Sequence, residues 1–349
     1  MTATAINRRR VLAAWGSWLA SAPLLRAQKL IGEAPGRIPP VQELVNLTEF
    51  ESVAQRKLDS LRFAEIAGSE RSAFDRITFR PRLMIDSRQI DLTAQVFGQT
   101  LFTPILIGPL SGQKRFHPEG ELAMVRGASG AKALMVVSDR SSYPIDEIAA
   151  QAHTTLWYQV YIGPDPDETR TRIERALAAG CKALVVTMGG ELSGTPAIAG
   201  VDWKTFDRLR KGIGVPVVLK GVMSPDEARK AISSGLQGII VSNYSARFVP
   251  GVASSIEMLP SIADAVGGKV PILIDGSIRL GSDALKALAL GAQAVLLGRP
   301  ALWGLAAYGS DGVQNVIELM QSSLARDMAM CGKVNIKTLD RTLVKIHRR

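Results

Sequence analysis

Lys220 closes the apolar run PVVLK (216–220), so a charged ammonium directly follows residues suited to a core. A lysine so placed must hold its charge near a buried region. Further along, PILIDGSIRLGSDALKALALGAQAVLLGRP (271–300) carries two Gly-rich turns: Asp275-Gly276-Ser277 followed by Arg279, and Gly298-Arg299. Glycine lets backbone N–H groups approach an anion and the arginines supply charge, so the two turns together read as a phosphate site. Polar groups close the other apolar runs as well: Pro109-Leu110-Ser111, Ser138, Gln159 and Tyr161, Thr187, and Ser242-Asn243-Tyr244. Ser138 or Thr187 taken singly is adequately explained as a turn residue. Lys220 and the doubled Gly-Arg turns are not.

The elements that must position these groups are short. From residue 104 the chain alternates apolar runs with amphipathic stretches. The runs are PILIG (104–108), ALMVVS (133–138), TLWYQVY (155–161), ALVVT (183–187), PVVLK (216–220), GIIVS (238–242), PILID (271–275) and AVLLG (294–298). They are continuous and rich in Val and Ile, the pattern of parallel strands buried on both faces. Between them lie helical patterns such as DETRTRIERALAAG, SPDEARKAISSG and GSDALKALALGA, all ending at Gly. Eight strand–helix units predict an α/β fold, a (β/α)8 TIM barrel with an N-terminal extension. A doubly wound open sheet is the alternative, but no strand is followed by a dinucleotide GxGxxG. In a barrel the carboxyl ends of the strands carry function, which is where the polar groups fall.

Composition narrows the chemistry. With 349 residues, 46% hydrophobic and 21% charged, the chain is an ordinary globular sequence rather than a disordered one. Two cysteines, Cys181 and Cys331, exclude a disulfide framework and a Cys-based metal cluster, and they read as buried apolar fillers. Three histidines, His117, His153 and His347, leave little for a zinc site, and no metal is expected. The net charge of +10 invites a nucleic-acid reading, yet Arg8, Arg9, Arg10 and Arg26 stand in the first 27 residues, which have no Asp or Glu. No basic run or nucleic-acid motif occurs in the body, so nucleic acid is not expected as a partner. That first segment, with NRRRVLAAWGSWLASAPLLRAQ at 7–28, has the charged, apolar and small-residue order of an export signal. The Arg8-Arg9-Arg10-Val11-Leu12 spacing resembles a twin-arginine signal, and the apolar run is too short to span a membrane. Export, to the periplasm, is expected.

Taken together, AFDRITFRPRLM (73–84), HPEGE (117–121), VLKGV (218–222), SNYSAR (242–247), IDGSIRLGSDALKALALGA (274–292) and LLGRP (296–300) resemble, in order, the landmarks of the FMN-dependent 2-hydroxy-acid oxidising family. That family includes glycolate oxidase, lactate oxidase and mandelate dehydrogenase, and the likeness runs from about Asn46 to Leu339. The resemblance implies FMN as cofactor, with Pro109, Leu110 and Ser111 along the flavin ring and Ser138, Gln159, Thr187 and Ser242 about its polar groups. It implies Lys220 beside N1 and O2, where a cation favours the reduced, anionic flavin. It implies that Asp275, Gly276, Ser277, Arg279, Gly298 and Arg299 hold the ribityl phosphate. Tyr161 and Arg247 match substrate-side residues, the guanidinium suiting a carboxylate. The implied layout is a signal at 1–27, an extension at 28–103 packing on the barrel, and an FMN-binding barrel with a C-terminal helix at 104–349. A homo-oligomer is implied too, and a small-molecule substrate. The acceptor of the electrons (oxygen, a quinone or a cytochrome) stays open.

The departures lie on the substrate side. The family's Ser-Asn-His-Gly-Gly/Ala-Arg becomes Ser242-Asn243-Tyr244-Ser245-Ala246-Arg247, which replaces the base histidine by Tyr244. A phenol titrates near 10 and an imidazole near 6.5, so a phenol is the poorer base at neutral pH. A family tyrosine falls on Glu65, the Asp that orients the base falls on Gly189, and the loop carrying a second substrate arginine shortens to about 189–203. The expected function is an exported FMN-dependent oxidoreductase transferring hydride from substrate to flavin N5. Its specificity is altered or its activity reduced, with Glu65 or Tyr244 as candidate proton acceptor. A non-catalytic FMN-binding protein, or another FMN-barrel reaction such as isomerisation, is the alternative.

Overall fold

The computed structural model describes residues 37–68, 71–163, 165–187, 203–246 and 251–347. Helices α1 (Leu47–Lys57), α2 (Ser60–Ile66) and α3 (Ser72–Asp75) come first. Asn46 starts α1 through a capping box: its Oδ1 accepts from Glu49 N at 3.1 Å while Glu49 Oε2 accepts from Asn46 N. Strand β1 (Ile77–Phe79) precedes a hairpin of β2 (Ala94–Val96) and β3 (Gln99–Leu101). Phe97 and Gly98 turn the hairpin, both at positive φ, as a two-residue loop between twisted antiparallel strands requires.

Eight parallel strands then close into a barrel: β4 (Ile105–Ile107), β5 (Met135–Ser138), β6 (Leu156–Tyr161), β7 (Leu184–Thr187), β8 (Val217–Val222), β9 (Gly238–Val241), β10 (Ile272–Asp275) and β11 (Ala294–Leu297). Each pairs with the next in sequence, and β11 pairs with β4 to complete the ring. The predicted (β/α)8 barrel is the observed fold. Helices α4 (Gly120–Gly130), α5 (Ile145–Ala150), α6 (Pro166–Ala178), α7 (Trp203–Arg210), α8 (Pro225–Ser233), α9 (Ser255–Val266) and α10 (Gly281–Ala289) lie on the outside. Asp165 and Ser224 cap α6 and α8, each with Pro at the first helical position, where no N–H is needed.

Side chains alternate across each strand, so two cores result. One parity (Ile105, Val137, Val186, Leu219, Ile239, Ile274, Val295) packs under the helices. The other parity fills the interior, with a layer of Leu106, Val136, Trp157, Val185, Val218, Ile240, Leu273 and Leu296. The hairpin joins this second core through Ala94, Val96, Phe97 and Leu101 and so plugs the amino-terminal end. Phe97 packs on Trp157 with ring centroids 5.3 Å apart, and Trp157 Nε1 donates to Gln99 Oε1 at 3.2 Å. Gly238 is needed at this contact, because a Cβ there would lie 2.5 Å from Phe97 Cζ.

The run α11 (Arg299–Met330) breaks at Tyr308 and Gly309, the latter at φ 60°, and folds back on itself. Gly304 and Gly312 face each other at the crossing: a Cβ on Gly304 would lie 2.5 Å from Gly312 O. Strand β12 (Val344–Ile346) finally pairs antiparallel with β1.

Candidate active site

Carrying the interior parity two residues beyond each apolar residue gives Gly108, Ser138, Gln159, Thr187, Lys220, Ser242, Asp275 and Gly298. Six of the eight are polar, and together they floor a chamber at the carboxyl end of the barrel. The backbone alternation alone brings them together from eight strands. Ser138 Oγ donates to Gln159 Oε1 at 2.9 Å, which leaves the amide nitrogen of Gln159 facing elsewhere. Gln159 Nε2 and Thr187 Oγ1 are buried and have no hydrogen-bond partner among the described residues. A buried polar group left so costs about 1–3 kcal/mol, which marks a place where a bound group completes the set.

Lys220 is only 3% exposed. Its Nζ lies 2.6 Å from Asp275 Oδ2 and donates to Ser242 Oγ at 2.9 Å. The pairing is what allows an ammonium to sit at this depth, since an unpaired buried charge would be far more costly. Sequence reasoning identified both residues but not their contact. They come from barrel strands two places apart, with β9 between them, a relation that no local spacing encodes.

Gly276 (φ 111°) and Ser277 (φ 58°) bend the chain between β10 and α10. A Cβ on Gly276 would stand 3.1 Å from Ser255 Oγ, so the tight path favours glycine. Arg279 follows, its guanidinium 4.8 Å from the Trp303 ring centroid and donating to Ile278 O. Burial, and then the charge of Arg299, push its pKa down to about 9. Arg299 NH1 donates to Ala67 O at 3.0 Å and Gly68 O at 2.9 Å, which draws the segment after α2 over this side of the chamber. Two neighbouring guanidiniums that disfavour each other fit a phosphate between them, which would offset the repulsion and the burial together.

On the opposite side Tyr161 continues the interior parity one layer above Gln159, and its N donates to Asp139 Oδ2 at 3.1 Å. The Arg140 guanidinium lies 4.3 Å over the Tyr161 ring. Tyr244 begins a 3-10 turn, Tyr244–Ala246, its ring centroid 5.3 Å from Lys220 Nζ. Pro109, Leu110 and Ser111 are half-buried at the end of β4, and Leu110 O accepts from Gln113 Nε2. Glu65 is ion-paired with Arg115, whose Nε also donates to Gly112 O. The structure gives the Glu65 carboxylate a cationic partner that sequence reasoning missed. Arg115 stands fifty positions along the chain, with no local cue. Arg247, Gly189 and the shortened loop after β7 lie outside the described residues, as does the segment 1–27.

None of the three histidines is held on this floor. His117 Nδ1 accepts from Glu119 N, and its ring packs against Gly309 at the break in α11, where burial lowers its pKa. His347 meets Thr78 beside the β1–β12 pair, and His153 N bonds Ser129 Oγ. Both cysteines are buried and free, and burial pushes the Cys181 thiol up to about 12.

An unsatisfied amide and hydroxyl on the floor, a buried lysine beside them and an arginine pair at one edge fit FMN: a polar ring edge and a phosphate at the far end of a chain. The comparisons agree with that fit. The FMN-dependent dehydrogenase family matches residues 64–196 and 191–346. An L-lactate oxidase from Nostoc sp. is 36% identical over 358 residues, covering 86% of this chain and 98% of its own. The 2-hydroxyacid oxidase 1 of Homo sapiens is 35% identical over 320 residues, covering 78% and 86%. A crystal structure of mandelate oxidase superposes with a TM-score of 0.81 at 32% identity, covering 88% of this chain and all of that one. The chain belongs to the FMN-dependent dehydrogenase family, and FMN is its cofactor.

Proposed function

We propose that the protein is an exported FMN-dependent oxidoreductase that takes hydride from a CH–OH donor and is slow on simple 2-hydroxy acids. The observation that carries the reading is the contrast across the chamber. The floor retains buried, unsatisfied Gln159 and Thr187 beside the Lys220–Asp275 pair, whereas a tyrosine stands over Lys220 where the resembling family has its base. When bound, FMN supplies the two-electron acceptor. Gln159, Thr187, Ser138 and Ser242 supply hydrogen bonds to its polar edge. Arg279 and Arg299, with the backbone of Gly276, Ser277 and Gly298, would hold its phosphate. Pro109, Leu110 and Ser111 would flank the ring, and Lys220 would offer positive charge to its reduced form, with Asp275 holding the ammonium in place. On the substrate side, Arg247 receives the carboxylate and Tyr161 orients the donor.

Hydride loss from a CH–OH carbon needs the hydroxyl proton removed. With a tyrosine as acceptor in place of a histidine, the lost basicity costs roughly 10²–10⁴-fold, the range of a general-base contribution. Stopped-flow reduction of the purified yellow protein by glycolate, lactate and mandelate under anaerobic conditions tests this. Reduction slower than histidine-bearing relatives by that factor is expected, with partial recovery in Tyr244→His. Fast bleaching by any of the three would overturn the reading, and no reduction by any donor in either form would favour a non-catalytic FMN protein. Export is tested by fractionation: Arg8→Lys with Arg9→Lys should retain the protein in the cytoplasm, and an unaltered distribution would refute the twin-arginine route.

A further inference from the structure

Two loops rim the chamber: 109–116 after β4, and 138–143 after β5. Both hang from one side chain. Glu121 is fully buried in the first turn of α4, and its Oε1 accepts from Gln113 N and from Ser142 N, each at 2.9 Å. Further bonds carry each tie to the chamber. On the first loop, Gln113 Nε2 donates to Leu110 O at 3.1 Å. On the second, Ser141 donates to Ser138 O through its N, at 3.2 Å, and through its Oγ, at 2.7 Å. Lys114 N donates to Ser142 Oγ at 3.1 Å and links the two loops.

The support under Glu121 is stiff. Helix α4 packs so closely on the returning half of α11 that a Cβ on Gly127 would lie 2.5 Å from Ser310 O. Gln321 Nε2, on that same half, donates to Ala131 O at the end of α4 at 2.9 Å. The start of the helix is tight as well, where a Cβ on Gly120 would lie 2.9 Å from Lys114 N. Buried backbone N–H groups need acceptors, and Glu121 supplies one to each loop from a helix held at both ends. Its second oxygen, Oε2, is buried with no hydrogen-bond partner among the described residues, so both ties rest on Oε1.

We infer that Glu121 is a positioning residue for flavin reduction: one carboxylate oxygen, mounted on α4, sets how Pro109, Leu110 and Ser111 lie against the flavin ring and where Ser138 stands on the floor. This rests on the reading that the ring lies over that floor. Glu121 acts through Gln113 and Leu110 on one side and through Ser142, Ser141 and Ser138 on the other. It works by distance, since a misplacement of about 1 Å between reacting centres can cost about 100-fold in rate. What it must offer is an acceptor rather than a charge, because both of its bonds are to neutral N–H groups.

Two variants of the flavin-loaded protein test it: Glu121→Gln, which keeps an acceptor oxygen, and Glu121→Met, which keeps the shape and removes the acceptor. Three quantities are read: visible circular dichroism of the bound flavin, FMN affinity by fluorescence titration, and anaerobic flavin reduction by the fastest of glycolate, lactate and mandelate. Glu121→Met should alter the dichroic bands and slow reduction at saturating donor about 10–100-fold, with FMN affinity and donor half-saturation within about threefold of the parent. Glu121→Gln should match the parent in all three. A lower Tm in Glu121→Met with unaltered dichroism and reduction rate would make Glu121 a structural support only and overturn the inference. So would FMN affinity falling as far as the rate, or Glu121→Gln behaving like Glu121→Met. If Glu121→Met does not fold, Gln113→Leu cuts the arm to Leu110 O while sparing the Gln113 N–H, and an unaltered flavin dichroism there overturns the inference. A flavin that no hydroxy acid reduces would sink the proposed oxidation, and the dichroism and FMN affinity of the variants would still decide on Glu121.

Discussion

Replacing Arg279 by leucine should move apo stability and cofactor affinity in opposite directions. Arg279 is desolvated and faces Arg299, which together push its pKa down to about 9. At about 1.4 kcal/mol per tenfold change in proton affinity, a depression of that size corresponds to roughly 4–5 kcal/mol of unfavourable burial of the charge. Guanidinium stays protonated at neutral pH, so apo protein carries that cost in its folded state. Leucine removes it and forfeits the stacking on Trp303 and the bond to Ile278 O, about 1–2 kcal/mol and about 1 kcal/mol respectively. A net gain of about 1–3 kcal/mol in apo protein is expected, read as a rise of a few degrees in Tm. FMN affinity should fall about 10–100-fold, because a charged donor to the phosphate is lost. Differential scanning fluorimetry on apo and flavin-loaded protein, with a fluorescence titration of FMN, reads both quantities. An apo variant less stable than the parent, with unaltered FMN affinity, would refute the assignment of Arg279 to the phosphate.

Gly238→Ala should destabilise by about 1–3 kcal/mol, since the new methyl meets Phe97 at 2.5 Å and the plug cannot retreat from Trp157; chemical denaturation measures it, and pairing the change with Phe97→Leu should restore part of the loss. Lys220→Met should lower Tm in apo protein by leaving Asp275 without its partner, and Lys220→Met with Asp275→Asn should recover stability without recovering flavin reduction. Although burial pulls the other way, hydrogen bonds from Ser254 N and Oγ, and then Arg76, hold the Glu257 carboxyl down at about 2. A carboxyl depressed by folding contributes stability that is present above its unfolded pKa and lost as pH falls through the folded one. Glu257→Gln should therefore flatten the acid limb of the stability curve between roughly pH 4.5 and 2, and an unaltered limb would count against the contact.

All eight barrel strands were legible because each is buried on both faces and therefore reads as an unbroken apolar run; Val217–Val222 and Ala294–Leu297 differ from the sequence reading only at their ends. The helices of the pattern SPDEARKAISSG were legible for a similar reason, with Ser224 and Pro225 marking the start. Strand-end polar residues were readable as a set, since fold and position together imply their convergence. What escaped was pairing across the chain. The hairpin Ala94–Leu101 has strands of three residues, too short for a period, and its role as a plug depends on Phe97 reaching Trp157 and Gly238. The partners of Glu65 and Asp275, and the stacking of Arg140 on Tyr161, are tertiary facts with no local trace. The break at Tyr308 and Gly309 was invisible because glycine in a helix-like stretch does not announce a reversal.

Among the described residues, Phe97 and Trp157 fill the amino-terminal end and leave the chamber one doorway, and small molecules must take turns in it. A donor and a diffusible acceptor cannot wait on opposite sides of the barrel; the oxidised product has to clear the passage before a small acceptor enters. Steady-state rates should then follow a ping-pong pattern, with parallel double-reciprocal lines and competition between the product and that acceptor. An acceptor too large for the doorway escapes this queue only by drawing electrons through the rim. Turnover in the two cases would respond differently to accumulated product, so the shape of the inhibition pattern reports which kind of acceptor the protein serves.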